Sequence, residues 1–319
     1  MVSDERALAA LKDKRKHWLD WLSGDDPHSI RNQISSMIWY AAAFRIVNAA
    51  RRYAPVDAEG RVQLNDMMHD LINEGFFHSQ AMAIRRLFDT RARVWSLDRL
   101  LDDMQKNGNL LTRENMLAAE ELPYDGEPVK AELDKYCREH RGDGARLGYY
   151  PSRLDYHWIE TRHKAIDRLC GVSAASRNRH DTVRKSLFTR LKRRREKYAQ
   201  VLGWVRTQIA HAALPQAREA MEKQGGVNLQ LLWDAHKAIC GVVCVLAIAV
   251  LGDSCAPPLA YPQYDHLQYL DRPLVGPDQM GVLADEWALY QKETESWNQL
   301  ELDDFLRGAD GTGEQEQQS

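Results

Sequence analysis

Residues 238–251 read AICGVVCVLAIAVL, fourteen positions without a charge. The run is shorter than the roughly 20 apolar residues a bilayer-crossing helix needs, and Asp234, His236 and Lys237 stand just before it. A helix that is apolar on every side is the central element of a bundle. We therefore take 227–251 as that helix, entered across a turn at Gly225 and Gly226.

The sequence on either side supplies its neighbours. Ile30, Ile34, Met37, Ile38, Ala41 and Phe44 recur at spacings of three and four, with Ser29 as a cap and Tyr53-Ala54-Pro55 as a stop. Ile72, Phe76, Gln80, Ile84 and Leu87 repeat the pattern. No set of alternating runs bounded by Asn-Gly or Asp-Gly turns signals a sheet. The spacing predicts helices over 8–22, 29–52, 64–89, 96–106, 154–170, 181–214 and 227–251, with a last one over 279–297. The expected fold class is all-α, an antiparallel helical bundle with an irregular Pro-rich C-terminal strap and helix. The bundle is expected over 1–252, with an insertion at about 122–151 that holds a short helix at 129–140. An extension over 253–307 is expected to pack on it. Pro257, Pro258, Pro262, Pro273 and Pro277 mark the strap, and the Gly, Gln and Glu-rich tail at 308–319 reads as disordered.

At 319 residues with 44% hydrophobic content, one large or two modest domains are both allowed. Five irregularly placed cysteines, Cys137, Cys170, Cys240, Cys244 and Cys255, form neither a disulfide framework nor a zinc pattern. They read as reduced thiols, and a start of Met1-Val2-Ser3-Asp4-Glu5-Arg6 shows no export signal, so a cytoplasmic location and no membrane partner are expected.

Charge is unevenly distributed. Over 177–197 ten Lys/Arg face only Asp181 and Glu196, a balance of +8 in a chain whose net charge is −3, so the remainder carries −11. A concentrated cationic strip attracts a polyanion, and RNA is the expected partner. Arg184, Arg190, Lys192, Arg193, Arg194, Arg195 and Lys197 are the candidate backbone-binding residues. The bland reading is a solvated helix face whose charges pair with the acidic remainder.

The basic segment runs into Arg206-Thr207-Gln208-Ile209-Ala210-His211. Imidazole titrates near neutrality, so His211 suits proton transfer at a ribose 2′-hydroxyl or a leaving 5′-oxygen. Arg206 presents a planar fork of donors to the extra charge of a pentavalent phosphorus. On an α-helix the two stand about 140° apart and would line a cleft rather than touch. Thr207 shares a stripe with His211 and is placed to orient the imidazole. A histidine flanked by Ile209, Ala210 and Ala212 is equally read as a core or interface residue. The reaction needs no metal, and no cofactor is expected. His157, Glu160 and His163 form a weak metal set because the outer two lie about 240° apart on a regular helix. Cys240 and Cys244 share a face but lack a third ligand.

A basic helix ending in Arg-x4-His within an all-helical chain resembles the HEPN superfamily, most closely its abortive-infection branch. Phe76-Phe77, then Ala83-Ile84-Arg85-Arg86-Leu87-Phe88-Asp89 and Ser96-Leu97-Asp98-Arg99-Leu100-Leu101, is similar to that branch's first-half signature. The resemblance spans roughly 30–250. It implies a homodimer whose two Arg-x4-His motifs share a cleft. It also implies metal-independent RNA cleavage leaving a 2′,3′-cyclic phosphate, and a toxin or phage-defence role with an antitoxin or defence partner. Arg206 and His211 take the catalytic positions. Thr207 stands where active members commonly carry Asn, Asp or His, Gln208 where the branch often has lysine, and Ala212 and Ala213 where an acid often follows. A catalytically silent HEPN module that binds RNA or a protein is the other implied outcome.

Overall fold

The structure, a computed structural model, describes residues 2–139, 155–194, 198–209, 226–259, 261–273 and 275–297, with single positions 216, 219 and 223. The chain divides into two compact units, Met1–Ala260 and Tyr261–Ser319. Among the described residues there are helices and two isolated bridges, Val56 with Val62 and Thr112 with Thr182, but no strand. The expected all-α class holds.

The first unit is a packed helical bundle. Its helices are α1 (Val2–Ser23), α2 (Ile30–Ala50), α3 (Asp66–Leu87), α4 (Leu97–Lys106), α5 (Arg113–Ala119), α6 (Glu127–Glu139), α7 (Tyr156–Cys170), α8 (Lys185–Arg193), α9 (Ala199–Trp204) and α10 (Leu229–Cys244). Several begin where a capping side chain accepts from an orphan amide. Ser29 accepts from the Asn32 N–H, Asn65 from Met68, Ser96 from Arg99, Thr112 from Asn115 and Asn228 from Leu231. Such a cap stabilises a helix by about 1 kcal/mol.

The periodic positions face inward as their spacing requires. Ile30, Ile34, Met37, Ala41 and Phe44 of α2 are buried, as are Phe76, Gln80, Ile84 and Leu87 of α3. The two helices pack along each other, and the Phe44 and Phe76 rings stack at 3.7 Å.

The apolar run continues α10 through a π turn, Val245–Val250. Together they are 22 residues, long and apolar enough by length and composition to cross a membrane. In the bundle this helix is a core element, with Leu232, Ala235, Ile239, Leu246 and Ala247 fully buried. Each buried leucine or isoleucine among them contributes about 1.5–3 kcal/mol on burial.

Charged residues close the far end of that helix. Arg162 donates to the Ile248 and Ala249 carbonyls (2.9 and 3.1 Å) and Arg15 to the Leu251 carbonyl (2.7 Å). Gly252 then turns the chain with φ +63°, and a Cβ there would lie 2.2 Å from the Glu120 carboxyl carbon, so only glycine fits.

Two expectations are corrected. The single helix over 181–214 is broken. Residues 177–184 precede α8 in an irregular segment, and α8 ends at Arg193 before α9 starts at Ala199. The cause is long-range backbone pairing: the Val183 N–H bonds the Leu111 carbonyl, and the Arg113 and Glu114 amides bond the Asp181 and Arg179 carbonyls. Those partners fix a turn at 179–180 and a bridge at Thr182, so helix starts only at Lys185. The second correction is α5, an additional helix at Arg113–Ala119 not anticipated from periodicity.

The second unit, described by itself over 261–273 and 275–297, contains an irregular Pro-bearing segment, a 3-10 turn at Pro277–Gln279, and α11 (Met280–Trp297). Tyr261, Tyr264 and Trp287 are exposed. The tail expected over 308–319 and the part of the insertion over 140–151 lie outside the described residues.

Candidate functional site

The catalytic candidates begin where α9 changes its winding. Val201 and Val205 are fully buried, anchoring α9 in the core. From Val205–Ile209 the chain then forms a π turn. Arg206 is on this turn and exposed, with no hydrogen bond or ion pair among the described residues. π turns bond each amide to the carbonyl five residues back, and they occur often at functional sites. His211 itself lies outside the described residues.

Thr207 is half-buried, and its hydroxyl donates to the Gly203 carbonyl at 3.1 Å, with the Trp204 carbonyl at 3.4 Å. Its proton is thus held by its own helix, and only its lone pairs remain to meet an imidazole. The turn packs against α3, where exposed His78 lies with its ring 5.6 Å from that of Trp204.

The basic run is divided in use. Arg177 binds Asp167 (2.9 Å) and Glu160 (3.4 Å), and Arg179 binds Glu114 (2.5 Å). Arg184, at the N-cap of α8, lays its guanidinium over Gly171 and donates to that carbonyl at 2.6 Å. Lys192 is held by Asp102 and by Gln105 (2.7 Å) of α4. Arg177, Arg179 and Lys192 are thus paired with carboxylates of the bundle, whereas Arg184 is exposed and keeps its charge. Arg190, Arg193 and Arg194 are exposed at the end of α8, while Arg195 and Lys197 lie outside the described residues.

Arg113, missed by sequence reasoning, is at the centre of a buried charge network. Its side chain is fully shielded from solvent and donates to Asp167 (2.7 Å) and Asp181 (2.9 Å). It also donates to His163 Nδ1 (3.1 Å), which must accept, leaving Nε2–H to donate to the Tyr124 carbonyl (3.0 Å). Burial lowers the His163 pKa, and the neighbouring Arg177 and Arg113 charges lower it further. Burial works to raise the Asp167 carboxyl, but the Arg177 and Arg113 hydrogen bonds outweigh it and hold it below the ordinary carboxylate range. The weak metal set is dismembered here: His157 is exposed, Glu160 pairs with Arg177, and His163 is fixed between Arg113 and Tyr124. Among the described residues no group of three His, Cys, Asp or Glu side chains could hold a metal.

Cys255, beyond the end of the apolar helix, lies close enough to Cys244 that burial and the neighbouring thiol push its own thiol up, adding a thiol that helical spacing alone did not place there. Burial pushes the Cys240 thiol up to about 11, so it remains protonated.

No protein-family model matches this chain, and no curated protein or solved structure is significantly similar to it.

Proposed function

We propose that this protein is a HEPN-type, metal-independent endoribonuclease that acts as a homodimer in a cytoplasmic toxin or phage-defence role. The observation that carries the reading is Arg206: a solvent-exposed guanidinium on a π turn, in a bundle that pairs Arg177, Arg179 and Lys192 with its own carboxylates. A purely structural arginine at this position would be buried and bonded within its own bundle.

The chemistry needs one imidazole and one guanidinium from each copy in a common groove. The 2′-oxygen attacks phosphorus as an imidazole takes its proton, the bond to the 5′-oxygen breaks, and an imidazolium returns a proton to that oxygen. Arg206 binds the non-bridging oxygens as their charge rises. His211 is assigned the acid/base role by the motif. The exposed Arg190, Arg193 and Arg194, followed by Arg195 and Lys197, are assigned to the RNA backbone. An antitoxin or defence protein is the expected restraining partner.

The alternative is a catalytically silent module that binds RNA or a protein. It draws on Thr207, whose hydroxyl proton is engaged by the Gly203 carbonyl. Purified protein incubated with end-labelled RNA in EDTA separates the two. Wild type is expected to release a 2′,3′-cyclic product that both Arg206→Ala and His211→Ala abolish. Cleavage persisting in His211→Ala would remove this mechanism, and RNA retention that weakens steeply with salt but yields no product would establish the silent module.

A further inference from the structure

A cleft of about 450 Å³ lies where the start of α2 meets the end of α3 and the turn after it, with His28, Arg86, Asp89, Arg91 and Arg93 on its walls. It shares His28, Gln33 and Arg86 with a second cleft of about 310 Å³ that reaches Tyr40, Ser79 and Met82.

The walls are fixed before any ligand arrives. The Gln33 amide donates to the His28 carbonyl (2.6 Å) and the Trp95 carbonyl (3.2 Å), joining α2 to the turn. The Ser96 hydroxyl, which caps α4, donates to the Asp89 carbonyl (2.5 Å). Asp89 accepts from the Arg91 N–H (2.9 Å) and grips its guanidinium (2.9 and 2.5 Å). Beyond this locked turn Arg93 has φ +72°, a conformation unfavourable for a residue with a Cβ and found most often where function requires it.

The charge balance points to an anion. Two acids line the first cleft. Asp89 is neutralised by Arg91, and the Asp26 carboxylate accepts the His28 N–H at 2.7 Å. The Arg86 and Arg93 guanidiniums and the His28 imidazole have no hydrogen bond or ion pair among the described residues. Two unpaired guanidinium forks in one concave site fit phosphate oxygens better than any neutral ligand. Tyr40, 61% exposed in the second cleft, offers a ring face for a base. Met82 of that cleft lies one helical turn after His78, which meets Trp204 just before the Arg206 turn. The clefts and the Arg206 turn are thus strung along α3.

We infer that this double cleft binds the phosphodiester backbone of single-stranded nucleic acid, with Arg86 and Arg93 each on a phosphate and Tyr40 beneath a base. RNA as its natural ligand rests on the ribonuclease reading above, but the binding chemistry does not. Under this inference α3 carries the strand toward Arg206, a path that sequence reasoning assigned only to the end of the basic run.

The test uses the full chain and a short, fluorescein-labelled single-stranded DNA read by anisotropy. That probe presents phosphodiesters but no 2′-hydroxyl, so binding is measured apart from cutting. Arg86→Gln/Arg93→Gln is expected to weaken binding at least tenfold and flatten the plot of log affinity against log salt by about 1.4, the share of two phosphates on a single strand. Lys164→Gln/Arg168→Gln, which alters two exposed cations of α7, is the control and should change binding less than twofold. Tyr40→Ala should weaken it at least about fivefold. Arg93→Gly removes one fork while relaxing the left-handed backbone, so its binding loss cannot be assigned to misfolding.

The inference is overturned if the Arg86/Arg93 variant binds like the α7 control, or if wild type does not bind the strand. Displacement by inorganic phosphate at matched ionic strength also overturns it, reassigning the cleft to a free anion. The two readings fail separately: RNA cleavage surviving an inert cleft removes only this one, and strand binding without cleavage removes only the ribonuclease.

Discussion

Replacing Arg162 with methionine should be among the most destabilising single changes in the bundle. Arg162 Nε and Nη2 bind Glu120 at 2.6 and 2.5 Å, while Nη1 holds the Ile248 and Ala249 carbonyls. The two side chains are 1% and 6% exposed, so methionine fills much of the volume but strands a buried carboxylate and two carbonyls. Removing one partner of a buried pair costs about 3–5 kcal/mol. For a unit of this size that lowers the melting temperature by about 10 °C.

The pH dependence carries a sign. Burial already pushes the Glu120 carboxyl up, against the pull of Arg162 and Arg15. Without Arg162 the folded state holds that proton still more tightly than the unfolded chain does. The variant's deficit should therefore shrink as pH falls from 8 to 5. Glu120→Gln/Arg162→Met, which buries no charge, should recover part of the loss. Urea titrations followed by far-UV circular dichroism measure all three proteins. A deficit below about 1 kcal/mol at pH 8, or a double variant less stable than the single, would refute the reasoning.

Two further outcomes are expected. His236 is 4% exposed with Nε2 unbonded among the described residues, and burial depresses its pKa to about 4. The unfolded chain takes up this proton first, so stability is full above pH 6.5 and falls by up to about 3 kcal/mol as pH drops toward 4. His236→Leu should remove that slope in pH-resolved unfolding curves. In RNA retention assays, Lys192→Ala should have little effect because Asp102 already neutralises the ammonium. Substituting exposed Arg190, Arg193 and Arg194 together should reduce the salt slope by about 2.

The helical framework was legible because its signals are local. Ile30, Ile34, Met37, Ala41 and Phe44 fall on one face whatever else the chain does, and Ser29 caps them from one residue away. Gln80 was placed with the core by the same periodicity, although nothing in its chemistry asks for burial. What could not be read depends on distant partners. The basic segment is broken by backbone bonds to Leu111, Arg113 and Glu114, residues about 70 positions earlier. Arg113 looks like any surface arginine until Asp167 and Asp181 arrive from other parts of the chain. The π turns at Val205–Ile209 and Val245–Val250 carry no compositional mark. For the candidate site, residue types and spacing named Arg206, but only the structure distinguishes the cations left to solvent from those already engaged.

Arg15 has a consequence for how the molecule is made. It belongs to α1, yet the carbonyl it secures is that of Leu251, 236 residues later in the chain. Until that residue is in place, α1 lacks this acceptor for its guanidinium, and the last turn of the apolar helix lacks this donor. Completion of the bundle thus waits on a meeting between residues far apart in the chain, a non-local contact that slows closure relative to assembly from neighbouring helices. Replacing Arg15 alone would leave the core side chains in place but that end of the apolar helix without this donor.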